Sequence, residues 1–272
     1  MSVRLIARHV MKNLSVKQQL RSGARLNGCW IESFSAIAAE IMAMSGYDTA
    51  MIDLEHGPGS LTDAVVMMQA LSAHQCKPMI RATSGDPPVI KRVLDIGPLG
   101  MMVPNVRSVQ EARDVVAACR YGPDGFRGAA PALLRATGYG EHVTNYEQWM
   151  AEEFLLIIQI ESKEAVDAID TIAAVEGIDM LFIGPIDLSA SLGALGQFDS
   201  TEFVEAFEKI EQSVLAAGKY LGCIPFGNWD SARLYGNGHH LVLAGADTLL
   251  LREAAGRDVQ ELRRACESLP DP

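Results

Sequence analysis

The sequence predicts an α/β protein, a single closed (β/α)8 TIM barrel entered through a short N-terminal helix. Three observations point there. Its 272 residues are about what one α/β barrel fills. Short β-branched or apolar runs bounded by Gly, Pro and Asp alternate with longer helical periods, the pattern of βαβ units in a parallel sheet. No linker, low-complexity tract or composition break divides the chain, so residues 14–272 are expected to form one barrel domain and residues 1–13 an N-terminal extension.

Taken in order, Leu14–Leu20 has the polar and apolar spacing of a short amphipathic helix. Eight strand-like runs follow: Asn27–Ile31, Thr49–Leu54, Pro78–Ala82, Gly100–Asn105, Phe154–Glu161, Met180–Gly184, Tyr220–Pro225 and Leu241–Leu251. Helical patterns separate them. Ser108–Cys119 places Val109, Ala112, Val115 and Val116 on one face, and Thr201–Ala217 does the same with Phe203, Phe207, Ile210 and Val214. The least regular stretch, Tyr121–Trp149, is punctuated by Gly122, Gly125, Gly128, Gly138 and Gly140. Long connections of this kind often carry function, so it is a candidate functional loop.

Composition excludes several roles. Hydrophobic residues make up 49% and no uninterrupted apolar run is long enough to span a bilayer, which argues against a membrane protein. The formal charge of −11 argues against nucleic acid, which needs a broad basic face. Basic residues concentrate at the start (Arg4, Arg8, Lys12, Lys17, Arg21, Arg25), but without a secretory apolar core or cleavage site, so a cytoplasmic protein is expected. Five scattered cysteines (Cys29, Cys76, Cys119, Cys223, Cys266) suit neither a disulfide framework nor a thiolate zinc site and are expected to be reduced.

A barrel's chemistry sits at the C-terminal ends of its strands. Polar residues predicted there are Asp53, Glu55, His56, Arg81, Asn105, Gln159, Glu161 and Asp187. Glu161 and Asp187 follow neighbouring strands, so their carboxylates would share one mouth. Such a pair suits Mg²⁺ or Mn²⁺, whereas the adjacent helical patterns equally allow both to be helix caps; spacing leaves the two readings open. Imine chemistry has no good lysine, since Lys77 and Lys219 precede strands and Lys91 and Lys163 lie in helical patterns. His239–His240 precedes the eighth run, at the face that usually serves stability.

Asp53-Leu54-Glu55-His56-Gly57-Pro58, Val103-Pro104-Asn105-Val106, Gly125-Phe126-Arg127-Gly128, Gln159-Ile160-Glu161 and Ile183-Gly184-Pro185-Ile186-Asp187-Leu188-Ser189 together resemble the HpcH/HpaI aldolase family. The similarity is strongest to the 4-hydroxy-2-oxoheptanedioate and 2-dehydro-3-deoxyglucarate aldolases, and runs from about Leu14 to Leu262 in unbroken order. The resemblance implies a homohexamer and a metal-dependent (class II) aldolase acting on pyruvate and an aldehyde. It makes Glu161 and Asp187 the ligands of Mg²⁺, Mn²⁺ or Co²⁺, Arg81 the cation at the enolate oxygen, and His56 the acid/base. It makes Asp95 the aspartate that orients His56, and Gln159, Ile186, Asp187 and Arg81 the pyruvate contacts. Ile186, Leu54, Asn105 and Cys223–Asn228 depart from the family's usual residues on the acceptor side, which leaves the aldehyde open.

Two other classes compete. A CoA-ester lyase of the malyl-CoA or citramalyl-CoA type, or a 2-oxo acid decarboxylase, would use a similar metal pair, but the CoA lyases usually carry further C-terminal structure. A non-catalytic barrel that binds a keto acid would be expected to lose His56, Arg81 or a metal ligand, and none is missing.

Overall fold

The computed structural model describes residues 14–268 and shows a closed barrel of eight parallel strands in sequential order. The strands are β1 (Leu26–Ile31), β2 (Thr49–Asp53), β3 (Lys77–Arg81), β4 (Gly100–Val103), β5 (Leu155–Ile160), β6 (Met180–Ile183), β7 (Tyr220–Cys223) and β8 (Leu241–Ala246). The predicted fold is therefore present, while the extension expected over residues 1–13 lies outside the described residues.

Strand periodicity divides the apolar residues into two cores. One parity points inward: Met51, Met79, Met102, Leu155, Ile157, Met180, Phe182, Leu241 and Leu243 fill the barrel. The other parity, including Ile52, Ile80, Val103, Ile158, Leu181 and Val242, packs against the surrounding helices. Gly222 belongs to the inward set, and a Cβ there would meet the Phe182 ring at 2.6 Å. The inward parity carried one step further reaches Asp53, Arg81 and Gln159, so the top layer of the barrel is polar.

The helices start where the sequence offers a cap. Ser35, Ser60, Ser108, Ser162 and Ser200 each accept a hydrogen bond from a backbone N–H in the first helical turn. The N-terminal helix, Val16–Arg21, starts at a capping box of Ser15 and Gln18. Its Lys17 donates to the carbonyls of Ala151 and Phe154 and pairs with Asp179 at 2.7 Å, which ties it across the N-terminal face of the barrel.

One boundary needs correction. The apolar run Leu241–Leu251 is not a single strand: β8 stops at Ala246, and Asp247–Glu267 is a 21-residue helix. Leu249, Leu250 and Leu251 have no alternation to distinguish strand from helix. Asp247 decides the break, because its carboxylate accepts N–H bonds from Thr248, Glu32 and Ser33 and starts the helix there. No described helix is long and apolar enough to cross a membrane. Cys29, Cys76, Cys119 and Cys223 are buried and Cys266 is exposed, and none of them forms a disulfide among the described residues.

Candidate active site

The polar top layer opens at the C-terminal ends of the strands. Asp53 and Arg81 are register partners on β2 and β3. Arg81 donates through Nε to Asp53 Oδ1 at 2.9 Å and through Nη2 to Oδ2 at 2.6 Å, and its Nη1 lies 3.0 Å from Glu55 Oε2. The guanidinium lies over the Trp30 ring, 4.6 Å from its centroid. Burial opposes the arginine's charge, but the hydrogen bond and charge of Asp53, followed by Glu55 and Glu161, outweigh it and raise the Arg81 pKa. Asp53, fully buried, also accepts from the backbone N–H groups of Glu55 and His56 at 3.0 and 3.3 Å, shaping the loop after β2.

Glu161 extends the inward parity of β5 by one residue and is 7% exposed. Its Oε1 accepts from the Asn105 N–H at 2.8 Å. Gly184 makes room for the other oxygen, since a Cβ there would collide with Glu161 Oε2 and approach Gln159 Nε2 to 2.8 Å. Burial, then the nearby Asp187, then Glu55 push the Glu161 carboxyl up to about 7, against the smaller opposing effects of Asn105 and Arg81. Helix capping is not the reason for these carboxylates. Ser162, not Glu161, caps Lys163–Asp167, and Pro185–Ser191 has no side-chain cap bond although Asp187 lies in its first turn.

The Glu161 carboxyl, raised by burial first and then by the nearby charge of Asp187, together with the Gln159 Oε1, buried and lacking a hydrogen-bond partner among the described residues, forms an all-oxygen donor set suited to a hard divalent cation. Among the described residues no group of three or more His, Cys, Asp or Glu converges in metal-binding geometry.

The chain has known relatives. Residues 26–254 match the HpcH/HpaI aldolase/citrate lyase family. The chain belongs to that family. It is 38% identical over 236 residues to a hydroxypyruvate/pyruvate aldolase of Chromohalobacter salexigens, covering 87% of this chain and 92% of the relative. It is 39% identical over 238 residues to a 2-keto-3-deoxy-L-rhamnonate aldolase of Escherichia coli, covering 88% and 89%. A solved HpcH/HpaI family protein from Burkholderia cenocepacia superposes with a TM-score of 0.85 at 32% identity, covering 91% of this chain and 98% of the other. The chain is accordingly a carbon–carbon lyase of the aldolase type.

Within this HpcH/HpaI member, not every expected residue reaches the mouth. His56 is there, with its imidazole 67% exposed and Nε2 4.0 Å from Glu55 Oε2. Asp95, expected to orient His56, lies away from the His56 of its own protomer. It ends the helix Pro87–Asp95, which runs back from the mouth, and its carboxylate accepts instead from Arg127 Nη2 at 2.7 Å. Glycine-rich Tyr121–Trp149 likewise joins the C-terminal end of helix Val109–Cys119 to the start of β5, at the face opposite the mouth. With Lys17 and Asp179 its residues line a cavity of about 390 Å³ there. Arg127 is buried between Tyr121 and Tyr146 and donates to the Tyr146 hydroxyl, a packing role in this protomer. His239 is fully buried against Glu211 at 2.8 Å, and the His240 ring accepts from the Leu221 N–H, in keeping with a stability face.

Trp30 and the bridging role of Glu55 were not read from the sequence. A signal existed for Trp30: it shares the inward parity of Leu26 and Gly28 at the top of β1. Parity cannot say that its ring would lie against a guanidinium two strands away.

Proposed function

We propose that this chain is a divalent-metal-dependent aldolase that cleaves or forms 4-hydroxy-2-oxo acids, with the enolate of pyruvate, or of a close 2-oxo acid, as nucleophile and an aldehyde as acceptor. The observation that carries this reading is the convergence of Glu161 and Asp187 beside Arg81, with neither a helix-capping role nor a lysine to account for the paired carboxylates. The names of the relatives support the same donor class.

Glu161 and Asp187 would hold Mg²⁺, Mn²⁺ or Co²⁺. Bound there, such an ion would supply Lewis-acid stabilisation of negative charge developing on the donor's keto oxygen. Arg81 has five N–H donors, and its contacts to Asp53 and Glu55 engage three, leaving two to meet substrate oxygens. Because its partners fix the guanidinium in place, its charge is aimed before the reaction begins. Gln159, with an unpartnered buried Oε1 in the same layer, and the first turn at Ile186 and Asp187 would seat the donor. His56, exposed on a loop and held by backbone bonds to Asp53 rather than by its ring, is free to exchange protons between the aldol hydroxyl and solvent.

Self-association belongs to the same reading. Thr248 to Ser268 are all exposed, including Leu249, Leu251 and Leu262, and helix Ala36–Met44 exposes Ile37, Ile41 and Met44. Apolar surface of this kind favours a homo-oligomer, with a hexamer as the expected assembly. The deciding experiment incubates metal-loaded protein with a panel of 4-hydroxy-2-oxo acids and follows pyruvate release. No release from any member, together with no exchange of pyruvate methyl protons in deuterated water, rejects the proposal.

A further inference from the structure

The cavity of about 390 Å³ beneath the connection Tyr121–Trp149 lies at the face opposite the mouth, and the aldol chemistry makes no use of it. Its volume suits a small molecule. Val116, Met150, Phe154 and Leu156 give it an apolar wall, and the connection adds the rings of Tyr121 and Tyr146, whose centroids are 6.1 Å apart.

Donors without acceptors collect among its lining residues. Arg127, 5% exposed, engages the Tyr146 hydroxyl through Nη1 and Asp95 through Nη2, but its buried Nε has no hydrogen-bond partner among the described residues. The Tyr121 hydroxyl is buried and unpartnered in the same way. Buried polar atoms are seldom left unpaired, so both lack an acceptor that the chain itself does not supply.

Arg120 adds a cation at the rim. Its side chain is exposed, and its guanidinium has no hydrogen-bond or ion-pair partner among the described residues. The guanidinium rests against Gly177, where φ is +94° and a Cβ would lie 2.6 Å from Nη2, so a side chain at that position would displace it. Burial pushes the Cys119 thiol up to about 12, and Arg127 and then Arg120 oppose that rise, which puts both guanidinia within electrostatic reach of one point on the wall. Lys17 is already matched by Asp179, whose other oxygen accepts from the Leu156 N–H. Asp124 and Glu147 are exposed carboxylates of the rim, and they favour a ligand with one negative charge over one with two.

We infer that this cavity is a second binding site, for a small aromatic monocarboxylate whose carboxylate meets Arg120 and the Tyr121 hydroxyl and whose ring lies against the apolar wall. The planar guanidinium of Arg120 can meet both carboxylate oxygens at once. Arg127, 4.9 Å from the Tyr121 ring centroid, adds positive charge behind that hydroxyl. The site stands apart from the mouth, so the inference does not rest on the aldolase reading.

Benzoate tests it, titrated by calorimetry into the full-length, metal-loaded protein with pyruvate present in excess to occupy the mouth. Saturable binding of one benzoate per chain is expected. Benzamide, which keeps the shape and lacks the charge, should bind on the order of 10-fold more weakly, and added salt should weaken benzoate alone. Phenyl phosphate should bind less tightly than benzoate. Arg120→Gln should weaken benzoate on the order of 10-fold and Tyr121→Phe roughly 3- to 10-fold, with the melting temperature of each ligand-free variant near that of wild type. Arg120 is exposed, so its variant keeps the test available even where Tyr121→Phe disturbs packing. The inference is overturned by the absence of saturable binding, by displacement of benzoate as pyruvate is raised, or by an affinity unchanged in Arg120→Gln.

Discussion

Arg81 and Asp53 are register partners on adjacent strands and meet in a two-point contact, Nε to Oδ1 at 2.9 Å and Nη2 to Oδ2 at 2.6 Å, inside the top of the barrel. A lysine there could keep the charge but not the fork that engages Asp53 and Glu55 while leaving donors over. Arg81→Lys should preserve fold and metal content and slow pyruvate methyl exchange strongly. Exchange at the wild-type rate would make Arg81 a structural residue that serves only the two acids. Asp53→Ala should cost about 3 to 5 kcal/mol in chemical denaturation, since it leaves a buried guanidinium short of its main partner.

Metal removal should abolish turnover. Exhaustive chelation followed by Mg²⁺, Mn²⁺ or Co²⁺ should stop and restore pyruvate release, and Asp187→Asn should weaken metal binding measured by calorimetry. Full activity after chelation, or a borohydride-trapped adduct with pyruvate, would instead call for a lysine.

His56 should act on protons and not on the metal. His56→Ala is expected to lower kcat by roughly 10²- to 10⁴-fold, as for loss of a general acid/base, with metal content near that of wild type. Loss of the metal from that variant would place the imidazole among its ligands.

The raised Glu161 carboxyl predicts a pH dependence of stability. Burial, Asp187 and Glu55 favour its protonated form in the folded chain, so folding takes up a proton between the ordinary glutamate value of 4.5 and about 7. In metal-free protein this group's contribution to stability is therefore full below that window, declines as pH rises through it and is level above. Denaturation of chelated protein from pH 5 to 8 should show the decline, and Glu161→Gln should flatten it. Identical pH profiles for the two proteins would count against it.

Sedimentation should report an assembly larger than one chain, because the helix Asp247–Glu267 buries only Asp247 within its own protomer. A monomer at micromolar concentration would contradict the self-association reading.

Eight apolar runs separated by helical periods sufficed for the barrel, because strands buried on both faces need continuous apolar sequence and βα units need a fixed alternation. Strand ends then nominated Asp53, Glu55, His56, Arg81, Gln159, Glu161 and Asp187, since polar residues just beyond a buried strand have only the mouth to face. Local pattern could not see where Leu241–Leu251 changes from strand to helix, as the break depends on Asp247 reaching Glu32 and Ser33 more than 200 residues away. Nor could it place Asp95 within the protomer, because spacing from Arg81 says nothing about the direction in which the intervening helix runs. The pairing of Arg81 with Asp53, its stacking on Trp30 and the fixing of Glu161 by the Asn105 N–H were decided only by tertiary structure. Each joins residues on different strands or loops, and closing the barrel is what brings those strand ends within hydrogen-bonding distance.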